Sequence, residues 1–282
     1  MVPGGNNQLT TLMRRSNINS QNPVNRSIVL GGGSQPNQIA GLAMWMRADS
    51  ELVYTDAGTT PATNGQAVQQ WNCNVSGCAW TQATALNKPT FITGAINSLP
   101  VLRFDGTNSF MDGDAISKTF TTGYAGLTFF VVGKSAVGTL QVWAAWSRAS
   151  SAAARVTFQR STSSEALVFR ILNADSNTTV STPIASYNTN NYIVSHAQDV
   201  SGQTATIYQN GVAGPTGTAG YTNPTYDNTA CFTTPLMGQQ YGGINRLNGD
   251  IAEIILYSRV LSSTERRTVE KYLSNKYAIA VT

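Results

Sequence analysis

Cys73 and Cys78 lie in "QWNCNVSGCAW", with four residues between them and a tryptophan on either side. Two thiols at this spacing could clip a soft metal, act as a redox pair, or staple a loop. A structural zinc site needs four soft ligands. Cys73, Cys78, Cys231 and His196 are the whole supply, with no second paired spacing. Redox catalysis is disfavoured because the spacing is not C-x-x-C and no thioredoxin-like βαβ pattern is present. A second group, "RFDGTNSFMDGD", gathers Asp105, Asp112 and Asp114 around a turn. These hard oxygen ligands are candidates for calcium, the one cofactor the residues suggest. Aspartates that cap their own turns account for the same residues.

His196 is the only histidine. It lies inside the strand-like "YIVSHAQ", where the adjacent Ser195 points to the opposite strand face, so the two do not make a nucleophile and its base. "GDIAEIIL" offers Asp250 and Glu253. On a regular strand residues three apart face opposite ways, so this pair cannot flank one glycosidic bond. The expectation is a protein without catalytic activity. A sugar platform is the remaining chemistry. Tyr221, Tyr226 and Tyr241 sit in the loop-like "AGYTNPTYDNTA" and "GQQYGGINR" among Asn, Asp and Gln, and are the glycan-binding candidates. Trp71, Trp80, Trp143 and Trp146 could stack on sugars too, but the last two lie in an apolar strand pattern that suits a core.

The elements that must hold these residues read as β-structure. "GLAMWMRA", "LPVLRF", "LTFFVVG", "LQVWAAW", "RVTFQR", "ALVFRIL", "YIVSHAQ", "TATIYQNG" and "DIAEIILY" are short apolar or alternating runs. Many are rich in β-branched and aromatic residues and bounded by turn formers. Asn210-Gly211 predicts a tight hairpin, since both residues accept positive φ. About a dozen strands with polar turns favour an antiparallel β-sandwich. One helix is expected near the C-terminus. Ser262 and Glu265 form a capping box, and Val269, Tyr272, Leu273 and Lys276 follow helical spacing.

Only 11% of the residues are charged, against about 25% in a typical domain. The net charge of +4 is small and scattered, with no basic run interleaved with aromatics, which argues against nucleic-acid binding. No apolar stretch is long enough to span a membrane. Residues 1–38, rich in Gly, Asn, Pro and Gln, read as an extended arm before a domain over 39–282. Its short apolar patches, Leu9, Leu12, Met13, Ile28, Val29 and Leu30, are candidate docking points. The N-terminus lacks the apolar core of a secretory signal.

From about Ile39 onward the chain resembles the laminin-G-like, concanavalin-A-like jelly-roll family. "LAMWMRADS" resembles the opening strand of that family. "LPVLRFDGTNSFM" and the Tyr-before-Asn-Gly hairpin "TATIYQNG" follow in order. "LNGDIAEIILYSRVLSSTERRTVEKYLSNKY" resembles its closing strand and terminal helix. The resemblance implies two packed antiparallel sheets with rim loops that often recognise sugars, sometimes with calcium. It also implies that the stretch after "QW" is a surface loop. Cys73 and Cys78 bracket that loop, and a disulfide between them is expected, with Cys231 left as a buried free thiol. With the arm and the low-charge surface, the leading expectation is a virion surface protein, a bacteriophage capsid decoration or fibre protein. The arm would dock on a capsid or other virion protein, or on a second copy of the chain. The jelly roll would be displayed outward, touching cell-surface glycans weakly. The alternative is a secreted bacterial carbohydrate-binding, lectin-like module, with the arm as a linker.

Overall fold

The computed structural model describes residues 34–121, 123–136, 139–146, 155–160, 166–173, 176–183, 190–199, 201–214, 216–218 and 234–282. The expected docking points of the arm, from Leu9 to Leu30, and Cys231 lie outside the described residues.

In chain order the strands begin with β1 (Leu42–Arg47), β2 (Val53–Tyr54), β3 (Gln70–Asn72), β4 (Ala79–Thr81), β5 (Thr90–Ile96) and β6 (Leu99–Asp105). They continue with β7 (Met111–Gly113), β8 (Gly126–Ser135), β9 (Gln141–Trp146), β10 (Arg155–Arg160), β11 (Ala166–Asn173) and β12 (Ser176–Pro183). The last are β13 (Tyr192–Asp199), β14 (Thr204–Gln209), β15 (Val212–Ala213), β16 (Gly217–Thr218), β17 (Leu236–Met237) and β18 (Asn248–Tyr257), followed by helix α1 (Ser263–Tyr277). They form two antiparallel sheets packed as a sandwich. One runs β15-β14-β13-β8-β18-β6-β5, with β1 also on β18 and β16 on β14. The other runs β12-β11-β10-β9-β17-β7-β4-β3-β2.

The apolar runs set the core. Inward-facing Met44, Met46, Phe104, Phe129, Ile254 and Leu256 of the first sheet meet Trp71, Trp80, Trp143, Trp146 and Phe158 of the second. Phe129 and Phe158 stack across the gap with ring centroids 3.7 Å apart. Helix α1 covers the outer face of the first sheet. Ser262 caps it as expected, accepting from the Glu265 amide while Glu265 accepts from the Ser262 amide. The helix's own Val269, Tyr272 and Leu273 are buried. This second layer explains why β8 and β18 are apolar on both faces and read as continuous runs.

The predicted hairpin is present. Asn210 and Gly211 have φ of 49° and 82°, and Gln209 pairs with Val212 across them. At the other end of the described body Pro36, inside the expected arm, is buried and its carbonyl accepts from the Tyr257 hydroxyl.

Strand β18 carries a bulge. Ile251 pairs with Gly133 and Glu253 with Val132, leaving Ala252 extra. At the bulge β18 changes its partner on one edge, from β6 before it to β1 after it. Asp250 pairs with Lys134 and Glu253 with Val132, and Lys134 and Val132 share one face of β8. The two carboxylates therefore lie on the same face of the sheet. This corrects the expectation of opposite faces, which assumed an unbroken period of two.

Candidate functional site

The sandwich has two ends. The turn between β3 and β4 lies at one. The connections β6–β7, β8–β9 and β17–β18 lie at the other.

At the first end the cysteine loop is held without a cross-link. Cys73 and Cys78 are free thiols, which corrects the expected disulfide. Backbone pairing does the pinning instead. The Cys73 amide donates to the Cys78 carbonyl at 2.9 Å, and the Asn74 amide to Trp45 at 2.7 Å. The Trp45 amide donates to Cys73 Sγ at 3.3 Å. A hydrogen bond from Cys78 holds the Cys73 thiol below its ordinary value, at about 7, and pushes Cys78 upward. Trp71 and Trp80 are fully buried under this loop.

The aspartates do not converge on a calcium ion. Asp105 Oδ1 accepts from the amides of Thr107, Asn108 and Ser109 and from the Ser109 hydroxyl. Asp114 Oδ1 accepts from the Ser117 amide and hydroxyl, and its Oδ2 from the Ala79 amide. Both are turn caps, each with an Oδ1 occupied by the loop it closes. Asp112 lies between them on strand β7. Among the described residues no three acidic, histidine or cysteine side chains form a metal-holding group.

The catalytic candidates are also separated. His196 faces the core, edge-on to Phe129 and Phe158, and burial lowers it to about 3. Ser195 points outward and donates to Glu270 of α1. Asp250 is buried with a bidentate Arg103. Glu253 is sealed under the helix, accepting from Trp45 Nε1, Lys276 Nζ and the Tyr277 hydroxyl.

The second end holds a cleft of about 420 Å³ whose lining includes Phe110, Asp112, Thr234, Leu236, Gln239 and Tyr241. Strand β7 supplies Asp112, the residue before it supplies Phe110, and the turn after β17 supplies Gln239 and Tyr241. That turn begins at Gly238, where φ is 82° and an added Cβ would lie 2.5 Å from the Phe104 ring. Only glycine fits there. Gly242 and Gly243, both at positive φ, complete the reversal, closed by the Gln240 amide on the Ile244 carbonyl. Arg246 ties the two loops together. Its guanidinium lies 5.8 Å from the Phe110 ring centroid and donates to the carbonyls of Asn108 and Gly243.

Three features make this cleft chemically specific. Tyr241 is 42% exposed, so a ring face is open to a ligand. Gln239 Oε1 is buried and has no hydrogen-bond partner among the described residues. The carboxyl of Asp112 is held above its ordinary value by burial. An exposed aromatic beside two underused acceptors suits a ligand with an apolar face and several hydroxyl donors. Of the tyrosine candidates Tyr241 is in the cleft, while Tyr221 and Tyr226 lie outside the described residues. All five tryptophans are buried and none can serve as a platform. Sequence reasoning missed Phe110, Gln239 and Arg246, although all three lie in the segments singled out, "RFDGTNSFMDGD" and "GQQYGGINR".

Neither a protein-family model nor a curated protein matches the chain. Solved structures do. The binding domain of botulinum neurotoxin serotype D/C matches at TM-score 0.52 and 10% identity, over 85% of this chain and 53% of that one. The likeness is one of fold. A CBM40 domain of the Ruminococcus gnavus IT-sialidase, bound to α2,3 sialyllactose, matches at TM-score 0.46 and 14% identity, over 54% of this chain and 85% of that one. The NanB sialidase of Streptococcus pneumoniae matches at 0.48 and 16%, over 59% of this chain. The chain spans about a quarter of the NanB structure (26%) and about half of the toxin structure (53%). The fold likeness to the toxin binding domain agrees with the two-sheet architecture described above. These structures lend no support to the virion part of the resemblance.

Proposed function

We propose that this chain is a lectin-like module that binds glycans without catalysing their cleavage, and that the Tyr241 cleft is its binding face. The observation that carries this is the buried, unpartnered Gln239 Oε1 beside Asp112 and the open Tyr241 ring. A buried acceptor without a donor is costly, and rotation of the Gln239 side chain toward the cleft would let a sugar hydroxyl satisfy it. The Tyr241 ring would take the C–H face of the same sugar. A sandwich fold with rim loops agrees with this role, and an extracellular setting follows from a glycan ligand. The reading as a virion decoration protein leans on the arm, most of which lies outside the described residues.

A glycan array followed by titration of the best hit tests the proposal. Tyr241→Ala should weaken that hit about tenfold, the scale of one lost aromatic contact. Gln239→Ala should weaken it as well. An array without a single binder, or binding indifferent to both substitutions, would remove the proposal.

A further inference from the structure

A second cleft, of about 260 Å³, opens at the same end of the sandwich, where β6, β8 and β18 meet. Arg103, Lys134, Asn248 and Asp250 contribute to its lining. Asp250 is 1% exposed and sits between two cations. Arg103 donates Nε to Oδ1 at 2.7 Å and Nη2 to Oδ2 at 2.9 Å. Lys134 Nζ lies 3.2 Å from Oδ2. The strands are in register for this, Asp250 opposite Arg103 on one side and Lys134 on the other.

The charges do not balance. A bidentate arginine already neutralises a buried carboxylate. Lys134 is a second cation that Asp250 does not require, and it is repelled by Arg103. Arg103 Nη1 and the remaining ammonium protons of Lys134 have no acceptor among the described residues. Their side chains are 46% and 34% exposed, so a ligand can reach both. Two positive charges on one negative leave the cleft with one net positive charge.

We propose that this cleft is an anion subsite that takes one singly charged oxyanion, the carboxylate or sulfate ester of an acidic glycan. Arg103 and Lys134 hold the anion, and Asp250 fixes the two cations in place. The glycan part rests on the function proposed above; the anion part does not.

The test uses the full chain and two singly charged probes, glucuronate and methyl sulfate, followed by amide NMR. Either probe should shift the amides of Ala136, Asn248 and Gly249. In Lys134→Gln the dissociation constant should rise about tenfold, the cost of one charged hydrogen bond. Lys134→Arg should restore it. Lys134 is chosen because its loss leaves the Arg103–Asp250 pair intact, so the fold is preserved. Absence of localised shifts in the native chain, or equal affinity in Lys134→Gln, would overturn the subsite. A response to glucuronate alone points to a uronic acid, and a response to methyl sulfate alone to a sulfated sugar. Anion shifts here with an empty glycan array would keep the subsite and remove the glycan role. Glycan binding at Tyr241 with no anion response would do the reverse.

Discussion

At the scale of single residues, side chains that could do chemistry are mostly spent on holding loops. Asp105 shows how. Burial pushes its carboxyl upward, but the Ser109, Asn108 and Thr107 amides and the Ser109 hydroxyl outweigh that and bring it to about 2, from an ordinary 3.8. A lowered folded value means that the cap contributes fully above pH 3.8. The contribution is lost as pH falls toward 2. Asp105→Ala should cost about 1–2 kcal/mol in urea unfolding at neutral pH, and little at pH 2. Cys73 carries a second prediction. It is partly exposed, with its thiol near 7, whereas Cys78 is buried and pushed upward. Iodoacetamide should label Cys73 first, without prior reduction, at a rate that climbs as pH rises through 7. Recovery of both thiols only after reduction would mean that the cross-link forms after all. Their nearness was legible in the spacing. Their chemical state was not, because it depends on the hydrogen bond between the two thiols and then on the Trp45 amide and Ser76, which the fold brings to Cys73.

At the scale of elements, β18 and α1 act as one unit. Glu253 is fully buried and joins Trp45 of β1 to Lys276 and Tyr277 of the helix. Its position follows from the bulge at Ala252, which turns the carboxylate toward the helix. Glu253→Ala removes the close acceptor of a buried ammonium, an indole N–H and a phenol, leaving only Asp49 at 3.8 Å for Lys276 and the Ala252 carbonyl at 3.5 Å for Tyr277. The expected loss is about 3–5 kcal/mol in chemical denaturation. A loss below about 1 kcal/mol, the range of a surface ion pair, would show that the cluster is solvated. The strand, the helix and its cap were legible because apolar spacing and the Ser262–Glu265 box are local signals. The bulge was not. "GDIAEIIL" reads as unbroken alternation plus an acid, and the extra residue exists only in the pairing of β18 with β8.

At the scale of the whole molecule, two sheets and a covering helix share a core that buries every tryptophan. Native tryptophan emission should therefore be blue-shifted, and should move red in one step that coincides with loss of β circular dichroism. Separate transitions for the two signals would mean that the sheets unfold independently. Saccharide titration should leave this emission nearly unchanged, since the aromatic side chains lining the proposed cleft are Phe110 and Tyr241. The sequence by itself determined the all-β class, the nine strands β1, β6, β8–β11, β13, β14 and β18, the Asn210-Gly211 hairpin and the terminal helix. Each of these depends on residues within a few positions of one another. Strands β2–β5, β7, β12 and β15–β17 emerged only in the structure. Tertiary structure alone decided which acids are caps, which carboxylates share a face, and where a cleft opens. Those outcomes depend on segments far apart in the chain, such as Phe110 and Gln239, or Arg103 and Asp250. A hydrogen-bond donor or acceptor is defined by what lies beside it, and sheet topology sets that neighbour.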